Sequence, residues 1–273
     1  MVSKTFLPIK LKLEKMAHPS QALGHVQTQL QNGIATIEFF HPSHNSLPSN
    51  LLAQLTNAIY DAGKDPSVFV VILKSGGERT FCAGASFDEL SSIADFETGK
   101  RFFSGFANVI NAMRECPKFI VVRAHGRAIG GGVGICSAAD YCIASQYATI
   151  KLSELAIGFG PFVIGPAVER RIGLSAFSEL AINATEWRTA YWAKEKGLFN
   201  EVFETNEQVD AYLAHFAKKL AASSLEAMRE LKRIFWQNTE GWSELLDERA
   251  AISGRLALSD FTRNAITAFK NKA

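Results

Sequence analysis

Residues 127–140 read RAIGGGVGICSAAD. Three glycines in a row stand where a β-type run, KFIVVRAHG at 118–126, gives way to a helix-type one. Consecutive glycines cost conformational entropy and are kept where backbone must pass close to something. At a helix start the first amides have no intrahelical partner, and the macrodipole adds partial positive charge, so such an end attracts an anion. Close packing of a helix on its strand would ask for the same Gly130–Gly132, and this stretch alone leaves both readings open. Neither GxGxxG nor GxxxxGK[ST] occurs, which removes a phosphate loop.

A second strand-to-helix passage, FCAGASFDEL at 81–90, carries small residues (Ala83, Gly84, Ala85) at its turn. One amide from each loop could converge on a single carbonyl oxygen. Fixed N–H donors stabilise that oxygen when it becomes negative, without reorganising as it does so.

Outward from these loops, Ile34–Phe40 is a β-type run, PSHNSLPSN is turn-rich and Leu51–Ala62 has helical apolar spacing. Val68–Lys74 is a continuous apolar strand of the kind covered on both faces. Phe102, Phe103, Phe106, Val109, Ile110 and Met113 share one helical face, and DYCIAS and ATIKL are two short strands. Beyond Leu155 the chain reads as helices: Pro166–Ile172, Ala176–Ile182, Trp187–Lys196, the stripe Val209 to Leu220, SLEAMRELKRIFW, and a last set from Trp242 to Phe269. The expected class is α/β with a helical C-terminal part, dividing near Gly197 to Asn206.

The chain has 273 residues, 47% of them hydrophobic, enough for one large domain or a domain with an appendage. A net charge of +2 gives no electrostatic reason to expect nucleic acid or an acidic membrane as partner. Cys82, Cys116, Cys136 and Cys142 lack a CxxC pair and read as reduced core thiols, and the six histidines lack metal-ligand spacing, so no metal is expected. Residues 1–25 read as a poorly ordered extension with Met16 as an alternative start; a transit peptide is the competing reading, and an apolar run broken by lysines argues against a membrane segment.

Four stretches together carry a resemblance: HPSHNSLPSNLL at 41–52, VVILKSGGERTFCAGASF at 70–87, HGRAIGGGVGICSAADYCIAS at 125–145 and ATIKLSELAIGFGP at 148–161. In this order and spacing the chain resembles the crotonase superfamily, the enoyl-CoA hydratase/isomerase family, from about His25 to Lys270. The resemblance implies a spiral of ββα repeats at 26–200 and a helical trimerisation region at 201–273, assembled as a homotrimer or a dimer of trimers. It implies an acyl-CoA thioester substrate, with coenzyme A as part of that substrate and no separate cofactor; the reduced cysteines make a cytoplasmic enzyme the expectation. By motif, the oxyanion-hole amides fall on Ala85 and Gly131, and substrate contacts on Ala83, Gly84, Ser86, Gly130, Gly134, Phe162 and Lys270.

Family members that work with carboxylates draw them from two positions, which here hold Gly134 and Glu154. Glu154 is the expected catalytic residue, its pKa raised by Leu152, Leu155, Ile157 and Phe159 around it. Hydration divides its work between two carboxylates, whereas moving a double bond needs one base shuttling one proton. A lone Glu154 therefore favours enoyl-CoA double-bond isomerisation, and the short turn between Pro42 and Asn45 agrees. Three alternatives stay open: a hydratase (a lyase) for a branched substrate such as methylglutaconyl-CoA, with water in the space that Gly134 leaves; a decarboxylase; and a decayed CoA-binding protein. Asp140 stands at a position that looks structural, and Asp88, Glu89 and Glu169 read as solvated or helix-end charges. Phe159, Phe162, Val163 and Ile164 either reshape the acyl pocket or pack as ordinary core.

Overall fold

Val70, Val71, Ile72 and Leu73 are four successive buried apolar residues, so the strand that holds them needs cover on both faces. In the computed structural model, which describes residues 24–270, that strand lies inside a six-stranded sheet. Residues 1–23, where most of the expected extension falls, and 271–273 lie outside the described residues.

The strands are β1 (His25–Gln31), β2 (Ile34–Phe40), β3 (Val70–Ser75), β4 (Thr80–Cys82), β5 (Phe119–Ala124), β6 (Arg127–Ile129), β7 (Tyr141–Ser145), β8 (Thr149–Lys151), β9 (Arg188–Thr189) and β10 (Glu201–Phe203). The large sheet runs β1-β2-β3-β5-β7-β10 and the small one β4-β6-β8-β9. Apart from the β1–β2 and β8–β9 pairs, all pairing is parallel. The pairs β3/β4, β5/β6 and β7/β8 each send their first strand to the large sheet and their second to the small one. That repeat is the crotonase spiral of ββα turns. Because the small-sheet strands run parallel, the loops leaving β4, β6 and β8 emerge at one edge, and the site forms there.

The helices are α1 (Ser49–Lys64), α2 (Phe87–Ser91), α3 (Phe96–Glu115), α4 (Gly131–Ala138), α5 (Gly165–Ile182), α6 (Ala190–Glu195), α7 (Asn206–Ala221), α8 (Leu225–Phe235), α9 (Trp242–Ala257) and α10 (Asp260–Lys270). One face of the large sheet meets the main core with α1, α3 and α4, while Val209, Leu213 and Ala217 of α7 pack on Val70, Ile72, Val121 and Ile143 of the other. The helices α3 and α9 cross where Gly99 faces Gly254: a Cβ on Gly99 would lie 3.0 Å from Gly254 Cα.

Two features depart from the expected layout, and a third bears it out. The expected boundary put residue 25 in an extension, yet β1 starts at His25 and pairs with β2 through an Asn32–Gly33 turn with both φ values positive. The chain also returns to the large sheet after residue 200, since β10 pairs with β7 and α7 covers that sheet. Within α5, Gly173 (φ 77°, ψ 160°) breaks the helix, which accounts for the two helical segments read on either side of it.

Asp140 is structural. Its buried carboxylate accepts hydrogen bonds from Lys232 Nζ (2.8 Å), the Ile120 amide (2.7 Å) and Trp236 Nε1 (3.3 Å), tying α8 to the start of β5. Glu89 accepts from the Ser49 amide and hydroxyl (2.9 and 2.6 Å) and so closes the N-terminus of α1. Among the described residues no helix is long and apolar enough to cross a membrane.

Candidate active site

Each glycine after β6 has its own reason. Gly130 has φ 52°, a left-handed value that penalises any side chain, and a Cβ there would lie 2.8 Å from Glu154 Oε1. A Cβ on Gly131 would run into the Phe106 ring, and one on Gly132 would lie 2.6 Å from Cys82 O. The cluster therefore lets the start of α4 touch a carboxylate, an aromatic ring and the neighbouring loop together. Tight packing and close approach both hold here.

The loop after β4 is set against it. Gly84 (φ 88°) turns the chain, and a Cβ there would come within 3.6 Å of the Gly131 nitrogen. Its amide donates to Cys82 Sγ at 3.4 Å, and its carbonyl accepts from Leu47 at 2.8 Å. Burial pushes the Cys82 thiol up to about 12, so it shapes this turn as a neutral group. Asn45, buried with φ 56°, donates from Nδ2 to the Gly76 and Thr80 carbonyls, each at 2.7 Å, and holds the loop that leads into β4. Gly131 is the first residue of α4, and among the described residues no backbone acceptor outside the regular elements takes its amide or that of Ala85.

Glu154 follows β8 and opens a 3-10 turn, Leu155–Ile157, whose end at Gly158 is packed by Phe261 and Thr262 of α10. The residue is half-buried, but its Oε2 is shut off from solvent and has no hydrogen-bond partner among the described residues. Desolvation raises its pKa from 4.5 to about 7, opposed weakly by its own amide.

These groups border one cavity of about 140 Å³. Ala83, Ala85, Gly130, Gly131, Glu154 and Phe162 line it. So do Phe102, Phe103 and Phe106, whose helical stripe was legible but read only as core, and Ile164.

Three expected contacts, Ser86, Gly84 and Gly134, do not line the cavity. Ser86 caps α2, accepting from the Glu89 amide at 3.3 Å. Gly84 shapes the turn without lining the cavity, and the Lys270 side chain lies outside the described residues. At Gly134 a Cβ would lie 2.5 Å from Ile164 Cγ2 and 2.8 Å from Ile164 Cβ, so the isoleucine occupies the place of a side chain at 134.

At the opposite edge of the small sheet lies a polar depression of about 420 Å³ whose lining includes His44, Glu78, Arg79, His125, Arg127 and Tyr147, with the Arg127 guanidinium over the Trp187 ring at 5.5 Å. Sequence reasoning passed over it, because its residues come from four separate segments. Arg79 and Arg127 form no ion pair among the described residues. Burial holds His125 well down, at about 4, so its ring stays neutral, and neither ring nitrogen has a partner among the described residues. No three His, Cys, Asp or Glu side chains gather as metal ligands among the described residues.

Residues 29–272 match the family model for enoyl-CoA hydratase/isomerase. The chain belongs to that family. It is 28% identical over 244 residues to the peroxisomal Delta(3,5)-Delta(2,4)-dienoyl-CoA isomerase of Arabidopsis thaliana, covering 83% of this chain and 86% of that one. It is 32% identical over 168 residues to the mitochondrial methylglutaconyl-CoA hydratase of Mus musculus, covering 61% and 53%. The crystal structure of an enoyl-CoA hydratase from Bacillus halodurans superposes with a TM-score of 0.83 at 21% identity, covering 89% of this chain and 99% of that one. The fold is the crotonase fold, and the protein is an enzyme of this family.

Proposed function

We propose that this enzyme moves a carbon–carbon double bond within an enoyl-CoA thioester, with Glu154 as its only acid/base. The Glu154 carboxylate takes a proton from C2 of a 3-enoyl thioester. The C–H electron pair forms a C2–C1 double bond and charge moves to the thioester oxygen, where the Ala85 and Gly131 amides stabilise it. The dienolate collapses to the 2-enoyl product as the same carboxyl returns its proton to C4. A carboxyl poised near 7 can both take and give a proton near neutral pH.

One observation carries the choice of isomerisation: Ile164 fills the place of a side chain at 134. Among the described residues Glu154 is the one carboxylate that lines the cavity, and the place of a second at 134 is taken by hydrocarbon.

The test is the rate of 3-hexenoyl-CoA isomerisation with and without Glu154. Glu154→Gln should lose about 10²–10⁴-fold in kcat. Full retained rate would remove Glu154 from the chemistry.

A further inference from the structure

An apolar cavity and an apolar groove share one wall. The catalytic cavity, about 140 Å³, is close to an apolar cavity of about 150 Å³ that takes one benzene, or roughly six carbon atoms. Beside it lies an open apolar groove of about 480 Å³, with Phe177, Ala181, Leu256 and the exposed Leu155 and Ile182 in its lining, and among the described residues Glu169 and Arg249 as its charged lining residues. Phe159, Gly160, Pro161 and Phe162 line both spaces.

The four wall residues are not equal. Phe159 is buried and meets Phe103 edge-on at 5.2 Å, which fixes its ring. Pro161 is rigid and Gly160 has no side chain. Phe162 is half-buried and lays its ring over Gly160, where a Cβ would lie 2.7 Å from its Cζ. Phe162 is thus the side chain that lies over the backbone shared by the two spaces.

We propose that Phe162 sets the acyl-chain limit of this enzyme by closing the passage to the groove, a site fitted to the distal hydrocarbon of a longer acyl chain. Acyl groups of about six carbons fit with the ring in place. Longer ones need it displaced. The proposal rests on the acyl-CoA isomerase reading for its substrate class, but its readout is binding.

The experiment is calorimetric binding of hexanoyl-CoA and dodecanoyl-CoA to the full chain and to Phe162→Ala, with Phe162→Leu as the gentler variant should alanine compromise folding. The unaltered protein should bind hexanoyl-CoA at least about tenfold more tightly, and opening the wall should shift the affinity ratio about tenfold or more toward dodecanoyl-CoA. Equal affinities in the unaltered protein, or one common weakening of both ligands in the variants, would overturn the proposal. The same preparations are offered 3-hexenoyl-CoA. Binding that follows chain length without double-bond migration would sink the isomerase reading and leave the gate standing, while migration with an unchanged chain-length ratio would do the reverse.

Discussion

Ile164 stands in the space that a side chain on Gly134 would need, its Cγ2 2.5 Å from where that Cβ would be. The two residues are thirty positions apart, yet they decide together what can face Glu154. An isoleucine excludes water and carries no charge, so the carboxylate works alone and desolvated.

The contact predicts strong coupling. Gly134→Ala should destabilise the protein by about 1–3 kcal/mol through overpacking. In an Ile164→Ala background, itself costly because it leaves a cavity, most of that penalty should vanish. A double-mutant cycle on denaturant midpoints checks it, and additive effects would mean that the two side chains do not compete for one space.

Glu154 makes stability pH-dependent. Its folded-state pKa, about 7, exceeds the unfolded value of 4.5, so its contribution is full below pH 4.5 and is lost as pH rises to about 7. The loss approaches about 3 kcal/mol. Glu154→Gln should therefore gain in Tm over the unaltered protein as pH climbs through this window, with the gap constant above it. A gap that does not change with pH would contradict the burial argument.

The same group sets the rate profile. As the starting base it must be ionised, so kcat/KM should rise tenfold per pH unit below about 7 and level off above it. A profile flat from pH 5 to 9 would point to another base.

Lys232→Met should cost about 3–5 kcal/mol, because it strands the Asp140 carboxylate in a buried setting. Chemical denaturation measures it, and a loss within experimental scatter would show Asp140 to be solvated.

How far these features could be read in advance followed from the range of the interactions. Val70–Leu73, the Phe102–Met113 stripe and the break at Gly173 are local patterns, and the glycine cluster and Glu154 were legible beside them. The strand β1 was missed because it is mostly exposed and its VQTQLQ alternation is weakly apolar, although Asn32–Gly33 was the turn signal that could have found it. Ser86 came as a substrate contact by motif alone, whereas its hydroxyl oxygen accepts from the Glu89 amide and caps α2. The Gly134–Ile164 contact has no local trace. A missing carboxylate is readable in a chain, but the hydrocarbon that replaces it comes from another turn of the spiral.

The most direct measurement follows the enzyme with 3-hexenoyl-CoA in ²H₂O enriched in ¹⁸O, read by NMR and mass spectrometry. The account predicts 2-hexenoyl-CoA, deuterium confined to C2 and C4, and no ¹⁸O at C3. Rapid accumulation of 3-hydroxyhexanoyl-CoA carrying ¹⁸O at C3 would contradict it, because water would then be reaching the face that Ile164 is held to close.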